Sequence, residues 1–158
     1  MDGHGWGGLT MGYYLGIDPG TSGGCAVLDE KGRIAKVFKF KNLTLHDLAH
    51  EMCVCKRSYN IKKAVLEKVH SMPGQGVASS FKFGKVYGHV EMALTGLQIP
   101  YDLVTPQKWM KKLGCMTRGD KNVTKALAQR RWPDKKIIHA IADCLLIAEY
   151  CRMIDKGL

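Results

Sequence analysis

The sequence contains no run approaching the ~18 to 20 uninterrupted apolar residues that a membrane-spanning helix needs. Its first residues show neither the basic flank nor the apolar stretch of a secretory signal. A domain that is neither embedded nor secreted is expected, in the cytoplasm, with an organelle left open. Acidic residues are few: 14 Asp and Glu stand against 24 Lys and Arg, a formal net charge of +10. Such an imbalance makes a polyanion the first partner to consider. The basic residues are spread from Lys31 to Lys156, which argues for a folded nucleic-acid surface and against an amphipathic membrane-binding helix. The six cysteines (Cys25, Cys53, Cys55, Cys115, Cys144, Cys151) include no CxxC pair and read as reduced, buried thiols. Cys53 and Cys55 near His46 and His50 offer zinc donors, but a one-residue spacing on a helix turns the two sulfurs to different faces. The segment GIDPGTSGG is neither GxGxxG nor a P-loop, since no Gly-Lys-Ser/Thr follows it, so no nucleotide cofactor is expected. No repeat or low-complexity segment follows the glycine-rich opening, and 158 residues leave room for one ordinary domain.

Residues 1–11 have no periodicity and precede a second methionine, Met11; they read as a disordered leader or an expression scar, with a single domain over residues 12–158. From Tyr13 the runs YYLGID, CAVLD and RIAKVFKF, separated by PGTSGG and EKG, predict three strands in an antiparallel meander. Thr44, with Asp47 three residues on, predicts a helix start, and Leu45, Leu48, Ala49 and Met52 continue it to about Asn60. KAVLEKV predicts a fourth strand, and HSMPGQG a loop. A long helix is expected from Val77 to Leu97, with Phe81, Val86, Val90, Ala93, Leu94 and Leu97 buried. Tyr101 to Val104 reads as a fifth strand. Three helices follow: one opened by Pro106, one from Asp120 to Arg131, and one from Lys136 to Lys156. The expected class is α/β.

Three acidic residues stand where a carboxylate is costly unless used. Asp18 closes the apolar strand YYLGI, Glu67 closes AVL, and Asp143 lies within the apolar IADCLLIA. Carboxylates gathered from such places repel one another, and a divalent cation is the usual reason to tolerate that. Hard oxygen donors and a polyanion partner point to Mg²⁺, for which Mn²⁺ can substitute. The segment GIDPGTSGG adds a tight turn beside Asp18, through which a phosphate can approach the carboxylate.

Taken together, GIDPGTSGG, LEKV, TPQKWMKKLG and HAIADCLLIAEY resemble, in order, the landmarks of the RuvC-like Holliday junction resolvases of the ribonuclease H-like superfamily, and most of all its short phage and organellar members. The resemblance spans roughly Tyr14 to Arg152. It implies a five-stranded mixed sheet, three strands antiparallel and two parallel, flanked by helices. It also implies a homodimer that cuts four-way DNA junctions, with Asp18, Glu67 and Asp143 as catalytic and metal-holding residues. Two Mg²⁺ ions per active site, about 4 Å apart, would then activate water for in-line attack, leaving 5′-phosphate and 3′-hydroxyl ends. The bacterial pattern has a further aspartate three residues before the last, where this chain has Ala140. His139 resembles the histidine that some members use instead, as ligand or base, so the fourth position rests between residues 139 and 140.

Lys68 and His70 beyond Glu67, Lys82 and Lys85 on the long helix, and Lys108, Lys111 and Lys112 around Trp109 are candidates for contacting DNA phosphates. In related resolvases a side chain from this loop or helix wedges into the junction, and His70, Met72 and Phe83 are candidates by position. Gly84 and Gly88 would permit close helix packing in a dimer. Two rivals stand beside the nuclease: a non-catalytic branched-DNA-binding protein of the same fold, and an actin-like or sugar-kinase ATPase, whose two domains the chain is too short to hold.

Overall fold

A computed structural model describes residues 10–69, 74 and 76–158. The expected leader therefore lies outside the described residues, apart from Thr10 and Met11, and so do His70 and Met72. Five strands, β1 (Tyr13–Asp18), β2 (Gly24–Asp29), β3 (Ile34–Lys39), β4 (Ile61–Glu67) and β5 (Tyr101–Val104), form one sheet in the order β3-β2-β1-β4-β5. β1, β2 and β3 pair antiparallel, as the tight turns between them require, while β4 and β5 run parallel to β1. This is the mixed sheet that the resemblance implies.

Helices α1 (Leu45–Ser58) and α2 (Val77–Gly96) cover one face; α3 (Pro106–Leu113), α4 (Asn122–Arg131) and α5 (His139–Asp155) cover the other. Alternation along each strand divides its side chains between two cores. Leu15, Ile17, Cys25, Val27, Ala64 and Leu66 face α1 and α2, whereas Tyr14, Ala26, Leu28 and Val65 face α5. By the same alternation Asp18 and Glu67 project from the face that α5 covers. α5 lies across β1, β2 and β4, and Gly16 lets it come close. A Cβ at Gly16 would stand 2.1 Å from the Ala148 backbone nitrogen and 2.4 Å from the Cys144 carbonyl oxygen.

The start of α1 is a capping box: Asp47 N–H donates to Thr44 Oγ1 at 3.1 Å, and Thr44 N–H donates to the Asp47 carboxylate at 2.8 Å. The expected α2 stripe is corrected at its N-terminal end. Val90 and Leu94 are buried and Val86, Ala93 and Leu97 pack at the core's margin, but Phe81 is 75% exposed. The apolar core on this face reaches α2 only from Val86 onward, so the first turns have no sheet beneath them. Among the described residues no helix is long and apolar enough to cross a membrane.

Candidate active site

β1 and β4 are parallel neighbours, so their carboxyl ends reach the same edge of the sheet. Ile17 is paired with Leu66, which sets Asp18 beside Glu67 at that edge. α5 begins over the same edge, and its first turns supply His139, Ala140 and Asp143. These residues line one cleft of about 620 Å³, together with the turn Gly20 to Gly23, Lys41, Pro106 and Met110, and Lys121 and Thr124 of the α4 start. Asp18, Glu67, His139 and Asp143, separated by up to 125 positions in the chain, thus meet in one place.

Each carboxylate is held differently. Asp18 Oδ1 accepts the Gly20 N–H at 3.0 Å, and Gly23 N–H closes the turn on the Gly20 carbonyl at 2.8 Å. Gly23 must lack a side chain, since a Cβ there would lie 2.7 Å from Asp18 Cγ. Glu67 is 9% exposed, and its Oε2 accepts the indole N–H of buried Trp109 at 2.6 Å. Asp143 Oδ1 is buried with no hydrogen-bond partner among the described residues.

Burial is the main cause of the proton affinities here. It raises the Asp18 carboxyl, with the Asp143 charge adding to the rise and the Gly20 N–H and Lys121 opposing it. Glu67 is pushed up to about 8, by burial first and by Asp18 next, against the Trp109 hydrogen bond. Asp143 is likewise raised by burial, with Thr124, Lys121 and His139 drawing it down. Three mutually repelling carboxylates, one oxygen unpartnered, fit a divalent cation in chemistry: the donors are hard oxygens, with one imidazole at the cleft's margin. Among the described residues no three His, Cys, Asp or Glu side chains close on a single ligating point; the four line the walls of the cleft instead. The zinc candidates lie elsewhere, with Cys55 in the core beneath α1.

Lys68, Lys82, Lys85, Lys108, Lys111 and Lys112 are all exposed and, among the described residues, none is ion-paired with a carboxylate. They are not gathered into the cleft itself. Lys82 instead lines a neighbouring groove of about 450 Å³, which shares Thr21, Ser22 and Lys41 with the cleft and is therefore continuous with it. Phe83 is half-buried, its ring 6.3 Å from that of Tyr87.

Sequence reasoning missed Lys41, Lys121 and Thr124 as cleft residues and Trp109 as the partner of Glu67. Lys121 and Thr124 begin α4 and carry no local signal beyond one more cation and one more hydroxyl. Their place follows from α4 packing on α5.

By sequence the chain matches no family model and no curated protein. Among solved structures it is similar to Thermus thermophilus RuvC in complex with a Holliday junction substrate, with TM-score 0.70 and 17% identity, covering 92% of this chain and 96% of that one. It is also similar to Thermus thermophilus RuvC by itself, with TM-score 0.64, 18% identity and the same coverage of each chain. The fold is therefore that of RuvC.

Proposed function

We propose that this protein is a divalent-cation-dependent endonuclease that cuts branched DNA, four-way junctions in particular. The observation that carries this reading is the meeting of Asp18, Glu67 and Asp143 in one cleft, where burial raises the proton affinity of all three, on a chain of net charge +10. Support comes from the fold shared with a protein solved on a Holliday junction.

In this reading Asp18, Glu67 and Asp143 hold two Mg²⁺ ions, with His139 as the fourth residue of the site. Bound there, the ions would supply an acidic water and positive charge at the departing oxygen, and the expected products would carry 5′-phosphate and 3′-hydroxyl ends. The chain's own residues do the positioning. The Gly20 N–H fixes one oxygen of Asp18, and the bare backbone at Gly23 keeps room beside it for a phosphodiester. Lys121, which already draws down the proton affinity of all three carboxylates, stands where it can meet a phosphate oxygen. His139, at the first turn of α5, orients the attacking water or completes the ligand set. Lys41 and Lys82 carry the backbone of the same strand along the adjoining groove. Lys85, Lys108, Lys111 and Lys112 meet the flanking arms, and Phe83 enters the junction centre, with His70 and Met72 the other candidates for that place.

The proposed homodimer would form through α2. Val77, Phe81 and Met92 are exposed there, and a Cβ at Gly84 or Gly88 would meet nothing within 4 Å. Sedimentation should give about twice 17.6 kDa.

The test is Asp18→Asn. Cleavage of a labelled four-way junction in Mg²⁺ should be lost while junction binding by gel shift stays within a few-fold of wild type, because lysines supply the affinity. Wild-type cutting by Asp18→Asn would reject the assignment.

A further inference from the structure

We propose that Trp109 is a positioning residue of this site: its indole N–H anchors one oxygen of Glu67 and so presents the other to the divalent cation. The inference rests on the nuclease reading above and extends it to a residue from a different helix. Its basis is geometric. Trp109 is fully buried on α3, Glu67 closes β4, and the Nε1–Oε2 distance is 2.6 Å. With Glu67 ionised, as a bound cation would make it, a neutral donor at that distance makes a charge-assisted bond, stronger than an ordinary amide contact. Trp132 provides the contrast within the same core: its indole donates to the Gly32 carbonyl at 2.9 Å, a purely architectural contact.

The anchor answers a specific need. A glutamate has three side-chain torsions, and Glu67 faces two like charges in a desolvated cleft. Left alone, it would turn away from them. The indole is a donor with no acceptor capacity, so it takes up Oε2 and gives up nothing else. Among the described residues Oε1 has no hydrogen-bond partner. The anchor itself cannot drift: Pro106 opens α3 in its first turn, Gly114 ends it in a left-handed conformation, and Trp109 is packed between them in the core. Pro106 and Met110 of the same helix line the cleft. The helix that holds Glu67 is thus also part of the wall against which a substrate would rest.

Partners of this kind, one shell out from a metal, typically change affinity or activity by about 10- to 100-fold when removed. The experiment is Mn²⁺ binding, read from loss of the free-ion EPR signal, on wild type, Trp109→Phe, Glu67→Ala and the double variant. Trp109→Phe keeps an aromatic ring in the core and removes only the donor. Its Mn²⁺ affinity should fall by about 10-fold or more, with junction binding in cation-free buffer unchanged. In the Glu67→Ala background the same substitution should add nothing. Equal losses in both backgrounds, or wild-type Mn²⁺ affinity in Trp109→Phe, would overturn the inference.

Should Trp109→Phe fail to fold, the wild-type protein still decides. In ¹⁵N-labelled protein the Trp109 indole cross-peak should shift on Mg²⁺ addition while that of Trp132 stays, and a static Trp109 peak would overturn the inference. Wild-type protein that neither binds Mn²⁺ nor cuts a junction would overturn the nuclease reading and this one with it. Normal wild-type behaviour with an indifferent Trp109→Phe would overturn this one alone.

Discussion

Asp143 and Glu149 lie on the same apolar helix, about 9 Å apart along its axis, and both are acids in places where acids are rare. At Glu149, 1% exposed, every charge is answered. Arg131 Nη1 donates to Oε1 at 2.5 Å, Arg152 Nε to Oε2 and Nη2 to Oε1 at 2.8 Å each, and Arg152 also reaches the Glu30 carbonyl at 3.2 Å. At Asp143 one oxygen is buried without a partner among the described residues, and although Lys121 draws its proton affinity down, Asp18 and Glu67 line the same cleft. Burial alone therefore says little about the use of an acid. A matched charge fastens α4, α5 and the β2–β3 turn together, whereas an unmatched one stores a demand for a cation.

Substitutions at the two positions should separate these roles. The largest effect is expected for Asp143→Asn, which should lower junction cleavage by at least ~10³-fold, about 4 kcal/mol of barrier, while leaving thermal stability equal or higher. Glu149→Ala should do the reverse. Two guanidinium groups lose their buried partner, costing about 3 to 5 kcal/mol of stability, with cleavage per folded molecule near wild type at low temperature. Urea unfolding alongside a cleavage assay measures both; a stability loss at Asp143→Asn matching that at Glu149→Ala would erase the distinction.

A smaller effect belongs to His139, which lines the cleft but is exposed. His139→Ala should slow cleavage by at least ~10²-fold, the low end for general acid–base groups, with little change in binding. If it is neutral and Ala140→Asp instead accelerates cutting, the fourth position is 140.

The smallest effect is on stability against pH. Glu67 is pushed up to about 8, chiefly by burial, and burial also raises Asp18 and Asp143. Between the ordinary carboxylate range near ~4 and about 8, folded Glu67 keeps a proton that the unfolded chain releases, and Asp18 and Asp143 act in the same direction. Stability from these groups is therefore complete at the acid end and is lost as pH rises through that window. In EDTA the Tm should fall by a few degrees from pH 5 to pH 8. Mg²⁺ should restore more at pH 8 than at pH 5, and Glu67→Gln should flatten the slope. A Tm that rises over this range in EDTA would contradict the assignment of unmatched charge.

What the sequence disclosed follows the range of its signals. The Thr44–Asp47 box and the β1–β2–β3 meander depend on neighbours in the chain, and both appear as expected. Asp18, Glu67 and Asp143 were legible because a carboxylate ending an apolar strand or interrupting an apolar helix is conspicuous. Glu149 sits in the same apolar helix, and only Arg131, eighteen residues away, and Arg152 reveal its role. The Trp109–Glu67 bond spans 42 residues; nothing in PQKWMKKL says which acceptor the indole will find. Phe81 misled for the opposite reason, since helical spacing predicts a face without saying where the sheet beneath it stops.

The most direct test of the central claim is to incubate the wild-type protein with an end-labelled four-way junction in Mg²⁺ and, in parallel, in EDTA. Paired nicks across the junction, dependent on Mg²⁺ and bearing 5′-phosphate and 3′-hydroxyl ends, are the predicted result. Tight junction binding with no cleavage in Mg²⁺ or Mn²⁺, or cleavage that persists in EDTA, would contradict it.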